Sequence, residues 1–264
     1  AIAKNIDPLM FKTYGFSRSL KKSPTSIEMH QADILKTEAI DMIKSIDPEI
    51  IVYAVSADSQ SVESYQEHYV NGIKKTYEAI LQLKNFKHLF FISSTRVYGQ
   101  KTTKILNELD KAEPADYGGE ALMEAEIITQ QLKEKATVLR LSGIYGSNRT
   151  RMIQLAQSNP GNWPAINNWS NRIHEEDAAR FIVFLMKQIL NHTSVEPLYL
   201  VTDGVPTKQY DVLMWIRKRL QLSIDTVELP IIEGGKQLRS ILLNETGFTL
   251  KYPDFTHGYE AMID

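Results

Sequence analysis

The stretch HLFFISSTRVYG, residues 88–99, decides the fold. Its apolar start is too short for a buried helix, and it ends in three hydroxyl residues before Arg96 and Gly99. That is the pattern of a strand covered on both faces, with polar groups gathered where the chain leaves the sheet. Similar runs at 12–17, 27–31, 50–55, 137–141 and 198–201 predict further strands. Between them, 61–83 carries Val62, Tyr65, Tyr69, Ile73, Tyr77 and Ile80 at three- and four-residue spacings, a helical stripe suited to a core or to a subunit interface. Helices are also predicted over 118–133 and 211–219. Residues 147–171, rich in Asn, Ser, Pro and Trp, predict irregular structure at the start of a second lobe. Strands alternating with helices predict an α/β fold around a parallel sheet.

Composition narrows the function. The chain has 264 residues, 43% hydrophobic and 23% charged, enough for one large domain or a domain with a smaller lobe. Thirty basic and 32 acidic residues leave a formal charge of -2, which offers no net attraction for nucleic acid or an anionic membrane. The absence of cysteine excludes disulfides, thiolate zinc sites and a cysteine nucleophile, and it suits a reducing cytoplasm, the expected location. No run of about 18 apolar residues and no signal-peptide pattern is visible. The chain opens on Ala1 and reads AIAKNIDP before its first strand-like run, so further residues are expected ahead of it.

In open parallel sheets ligands collect beyond the carboxyl ends of the strands. The first strand ends in Ser17 and Arg18, which suit a phosphate or a ribose or stand as a solvated loop. The strand at 88–93 ends in Ser93, Ser94 and Thr95, able to hydrogen-bond a carbonyl or alcohol or to cap the next turn. Tyr117 is followed by two glycines, and RLSGIYG at 140–146 closes another strand.

These pieces, in order, resemble the extended short-chain dehydrogenase/reductases, and most closely their atypical NAD-dependent epimerase/dehydratase members. They comprise the strand ending at Arg18, then Asp33-Ile34, SSTRVYG, Tyr117-Gly118, RLSGIYG and NRIHEED at 171–177. The resemblance implies a Rossmann-like doubly wound parallel sheet with a small C-terminal substrate lobe. The first domain would span 1–146 and the lobe mainly 147–264, with residues about 175–202 returning to the first domain. It implies Ser94 and Tyr117 as catalytic residues for NAD(P)-dependent epimerase, dehydratase or reductase chemistry on a polar hydroxyl- or carbonyl-bearing molecule, nucleotide sugars among them. Ser17, Arg18, Asp33, Ile34, Ala54, Val55, Ser142, Gly143 and Ile144 would meet the cofactor. Thr95, Arg172 and His174 would meet a small-molecule substrate, although His174 also reads as a structural residue and Asp177 as a helix cap. No metal is implied. With no acid at the end of the first strand, the cofactor preference leans to NADP over NAD. Homodimerisation through the helices at 61–83 and 118–133 is expected.

Three departures set this chain apart. Gly15 is the only glycine before Gly72, so the glycine-rich turn and first strand of the family, about 20 residues, are missing ahead of residue 12. Ala121 stands where the family has the lysine that serves its tyrosine, so a non-catalytic dinucleotide-binding or redox-sensing protein is the alternative. Tyr69 replaces a frequent asparagine, with Asn71 nearby.

Overall fold

The computed structural model describes residues 1–19, 27–225, 227–232 and 234–263. In chain order its strands are β1 (Thr13–Ser17), β2 (Ile27–Gln31), β3 (Ile50–Tyr53), β4 (His88–Ser94), β5 (Ile105–Leu106), β6 (Ala136–Leu141), β7 (Gly143–Tyr145), β8 (Trp169–Ser170), β9 (Arg172–His174), β10 (Leu198–Val201), β11 (Thr207–Lys208) and β12 (Gln237–Leu238). The helices are α1 (Ile2–Asn5), α2 (Thr37–Ile46), α3 (Val62–Tyr65), α4 (Gly72–Ile80), α5 (Tyr117–Gln130), α6 (Arg151–Gln157), α7 (Glu175–Leu190), α8 (Gln209–Arg219), α9 (Leu242–Glu245) and α10 (Phe255–Ile263). None of the described helices is long and apolar enough to cross a membrane.

The chain divides into two compact units. The first comprises Ala1–Val97, Pro114–Arg140 and Ala179–Tyr199, and the second comprises Tyr98–Glu113, Leu141–Ala178 and Leu200–Asp264. The segment Tyr98–Glu113 thus groups with the later residues, although it lies early in the sequence.

The Rossmann-like parallel sheet expected from the sequence is present. One sheet has the strand order β10-β6-β4-β3, and β1 pairs in parallel with β2. β3 and β4 run parallel in the register Ile50↔His88 to Tyr53↔Phe91. Leu89, Phe90 and Phe91 are fully buried, as are Val138 and Leu139 on β6, which explains why both strands read as continuous apolar runs. β3 stops two residues short of the expected 50–55, so Ala54 and Val55 belong to the loop that follows it.

A buried ion pair binds β4, α5 and β6 together. Arg140 on β6 reaches Glu126 on α5, with Nη2 to Oε2 at 2.6 Å and Nε to Oε1 at 3.1 Å. Ser93 Oγ on β4 donates to the same Oε1 at 2.6 Å. Both charged side chains are more than nine-tenths buried, so each depends on its partner to offset desolvation.

The stripe at 61–83 forms a helical run that is not uniform. Ser61 caps α3 by accepting from Ser64 N at 3.2 Å, then residues Gln66–Asn71 make a π turn before α4 resumes. Such a turn holds an extra residue and loosens carbonyls from their usual partners. The His68 carbonyl accepts from Tyr53 Oη at 2.5 Å. This approach requires Gly72, where an added Cβ would stand 1.9 Å from that hydroxyl oxygen.

The second unit contains the β7–β9 parallel pair and a core of Tyr145, Ala156, Trp163, Tyr210, Leu213, Ile216 and Tyr259. The expectation of irregular structure over 147–171 is corrected here by α6. Met152, Ile153 and Leu155 pack on this core beside buried Ala156, a helical pattern hidden among loop-forming neighbours. Buried carboxylates serve as clamps: Asp177 accepts from Lys251 N and Tyr252 N, each at 2.8 Å, and Glu108 Oε2 accepts from Ile241 N at 2.9 Å.

His88 lies buried at the start of β4, with Nε2 3.0 Å from Thr137 Oγ1. That hydroxyl donates to the Glu196 carbonyl at 2.8 Å, so it accepts from a neutral His88 carrying its proton on Nε2. Burial pushes the His88 pKa down to about 4. A depressed histidine contributes stability that is present above its unfolded pKa and lost as pH falls through the folded one. Wild type should therefore lose about 3 kcal/mol more than His88→Leu between pH 6.5 and 4. Denaturant melts across that range check it, and parallel pH dependences would remove His88 as the cause. Glu126→Ala, which strands a buried guanidinium, should cost about 3–5 kcal/mol in the same assay at pH 7.5.

Candidate functional site

The first unit places its candidate residues at the carboxyl ends of four strands: Ser17 and Arg18 after β1, Asp33 and Ile34 after β2, Ala54 and Val55 after β3, and Ser94 and Thr95 on β4 and the turn that follows it. Ser94 and Tyr117 both contact Arg96, Ser94 at its backbone amide and Tyr117 at its guanidinium. Ser94 Oγ accepts from Arg96 N at 3.2 Å, and the Arg96 guanidinium lies 5.3 Å from the centre of the Tyr117 ring. The same guanidinium covers the Tyr65 ring at 5.0 Å and donates from Nη1 to Tyr65 Oη at 2.6 Å and Gln60 Oε1 at 3.1 Å. Its Nε bonds Asp116 Oδ1 at 2.9 Å. Tyr65 and Tyr117 meet edge to face with centres 5.5 Å apart. Arg96 thus sits among two aromatic rings and one carboxylate.

The sequence builds this locally. Asp116 caps α5 by accepting from Gly119 N at 2.8 Å, which makes Tyr117 the first residue of the helix. Burial pushes the Asp116 pKa up, but the Gly119 amide and the Arg96 guanidinium outweigh it, and the carboxylate is held below its usual range. Gly118 leaves room for the guanidinium, since a Cβ there would lie 2.5 Å from Arg96 Cζ. Ala121 is buried at 1% exposure and presents no charge to Tyr117.

A second cluster lines a cavity of about 640 Å³ whose walls include Arg18, Asp33, Asp58, His68, Asn71 and Lys75. The two terminal nitrogens of Arg18 engage the two carboxylate oxygens of Asp58. His68 Nε2 lies 3.2 Å from Asp58 Oδ2, while His68 Nδ1 donates to the Ser64 carbonyl at 2.8 Å. The Asp58 amide donates to Ser64 Oγ at 3.0 Å. Arg18, through its hydrogen bonds, draws the Asp58 pKa below the ordinary carboxylate value. Asp33 Oδ1 turns back to accept from Leu35 N at 3.0 Å, and Ile34 packs near Gly72.

The second unit holds Ser142, Gly143, Ile144, Arg172 and His174. His174 is buried directly before α7, where Nδ1 accepts from Glu176 N at 3.2 Å and the ring centre lies 3.9 Å from that of Tyr252. Burial lowers its pKa against the pull of Asp177. These contacts give His174 a structural place. Arg172 is buried, with Nη2 donating to Ser170 Oγ at 2.8 Å. Among the described residues, Ser142 Oγ and Asp203 Oδ2 are buried without a hydrogen-bond partner. Burial pushes the Asp203 pKa up to about 7, against the opposing Val205 amide and Arg172.

Sequence reasoning quoted Arg96 without giving it a role, and it missed Asp58, His68 and Asp203. Three consecutive hydroxyl residues before an arginine marked the first. Nothing local marks Asp58, whose partner lies forty positions away.

Residues 10–232 match the RmlD substrate binding domain. A Methylobacillus flagellatus structure assigned as an NAD-dependent epimerase/dehydratase is 34% identical, with a TM-score of 0.88 over 99% of this chain and 92% of that one. The fold is shared with a dTDP-glucose 4,6-dehydratase from Bacillus anthracis solved with NAD, at 18% identity and TM-score 0.70 over 90% and 79% of the two chains. It is shared also with a UDP-galactose 4-epimerase, at 15% identity and TM-score 0.74 over 95% and 89%. No curated protein matches the sequence. By its family match over most of its length and its likeness to the Methylobacillus structure, the chain belongs to the RmlD substrate-binding-domain family, among the NAD-dependent epimerases/dehydratases of the short-chain dehydrogenase/reductase type.

Proposed function

We propose that the chain is an NAD(P)-dependent epimerase, dehydratase or reductase acting in the cytoplasm on a polar molecule of the nucleotide-sugar kind. The observation that carries this is the Arg96 guanidinium set against the Tyr117 ring, with Ser94 two residues before Arg96 at the carboxyl end of β4. Ser94 Oγ and Tyr117 Oη hold the reacting carbonyl or alcohol, and Tyr117 passes a proton to or from that oxygen. Arg96 supplies the positive charge beside Tyr117 that buried Ala121 does not. A bound nicotinamide contributes hydride transfer. Its adenosine end would lie against Arg18, Asp33 and Asp58, which share one depression at the strand ends. The phosphate-binding turn of the family has no counterpart among the described residues. The lean toward NADP came from the lack of an acid at the end of β1, and Asp58 brings a carboxylate to Arg18 from the loop after β3.

One observation favours a second reading, a dinucleotide-binding or redox-sensing protein without turnover: the buried alanine at the lysine position. Screening nucleotide sugars for NAD(P)-dependent conversion separates the two. Under the first reading Tyr117→Phe lowers kcat by roughly 10²-fold or more and leaves dinucleotide affinity within a few fold. Arg96→Met lowers kcat as well, and Arg96→Lys restores part of it. Full turnover in Tyr117→Phe would remove that residue from the mechanism.

A further inference from the structure

We infer that Asp58 sets the cofactor's charge, admitting NAD and rejecting NADP. The inference rests on the dinucleotide reading of the Arg18 cavity and adds a residue that decides between the two nucleotides.

In a Rossmann-like sheet the residue closing the strand at β1's place reads the 2′ position of the adenosine ribose: an acid accepts the free hydroxyl, an arginine takes the phosphate. By sequence that position here is Ser17-Arg18, the pattern of a phosphate binder. The fold reverses this. Asp58, from the loop after β3, presents both carboxylate oxygens to both terminal nitrogens of Arg18, so the planar fork that would grip a phosphate is already filled. Asp58 is held from behind as well. Its amide is bonded to Ser64 Oγ, and its carboxylate faces His68, itself fixed by the Ser64 carbonyl and 95% buried. Two of the three lysines on the same wall are also engaged, Lys74 with Glu124 at 3.2 Å and Lys75 with the Leu35 carbonyl; Lys36 is the third.

A 2′-phosphate brings a charge of about −1.5 to −2. To reach Arg18 it must displace the Asp58 carboxylate, whose backbone amide is anchored on Ser64 Oγ, or lie against it as a like charge. A 2′-hydroxyl meets no such opposition and can donate to Asp58. The acid that is absent from the end of β1 is thus delivered from another strand.

The test is calorimetric titration of the full-length protein with NAD and with NADP, for wild type, Asp58→Asn, Asp58→Ser and Asp58→Asn combined with Arg18→Ala. Wild type should bind NAD more tightly than NADP. Each single Asp58 variant should shift the affinity ratio toward NADP by roughly tenfold or more, because Arg18 is released. Adding Arg18→Ala should abolish that shift. A wild type that prefers NADP, or a ratio that Asp58→Asn and Asp58→Ser leave unchanged while both nucleotides bind, overturns the role of Asp58 and leaves the dinucleotide reading standing. Binding of neither nucleotide to any form overturns both.

Discussion

The first unit depends on one buried ion pair. Arg140 and Glu126 are each almost inaccessible to water, and together with Ser93 they lock β6, α5 and β4 into one arrangement. Ser93 precedes Ser94, and Glu126 lies nine residues along the helix that Tyr117 begins. The pair therefore fixes the relative position of the two residues on which the proposed chemistry rests. A hydrophobic substitute of the same volume would fill the space, but it would specify neither the height of α5 against β4 nor its rotation. Buried ion pairs commonly add little net stability, and their directionality is their more distinctive contribution.

A second constraint is electrostatic and lies at the mouth of the sheet. Arg96 stands between Tyr65 and Tyr117 because Asp116 anchors it and Gly118 makes room for it. The family's lysine would approach the tyrosine from within the same helix, one turn on. Here the charge comes from the loop after β4, and Ala121 is free to pack as an apolar residue. Ala121 and Arg96 look unrelated in one dimension, yet Ala121 lies on the helix that Tyr117 opens and Arg96 sets its guanidinium against the Tyr117 ring.

That contrast explains what was legible. β4 and β6 could be read because a strand buried on both faces has to be apolar throughout, a property of consecutive residues. Ser94 and Tyr117 could be proposed through the family resemblance because each lies in a short local pattern, SSTRVYG or Tyr117-Gly118. Asp58 could not be read, since its meaning comes from Arg18 on a different strand. The lean toward NADP weighed only the residues at the end of β1, while Asp58 meets Arg18 from the loop after β3. α6 was concealed because its four apolar residues lie in a stretch dominated by Asn, Ser and Pro, and they make sense only against Trp163 and Tyr210. Asp203 gave no signal either, being a common loop residue whose raised pKa comes chiefly from burial, with Asp254 adding to it.

The π turn at Gln66–Asn71 has an evolutionary consequence. One residue advances a helix by about 100°, so the extra residue sets the rotational phase between Tyr65, which faces Arg96 and Tyr117, and Ile73, which faces the core. Removing any single residue from this span would restore a regular helix and turn one of those faces away from its partner. Substitutions along the helix are judged position by position, but its length is quantised, and lineages that retain the Tyr65–Arg96–Tyr117 cluster should tolerate changes of residue here far more readily than changes of number.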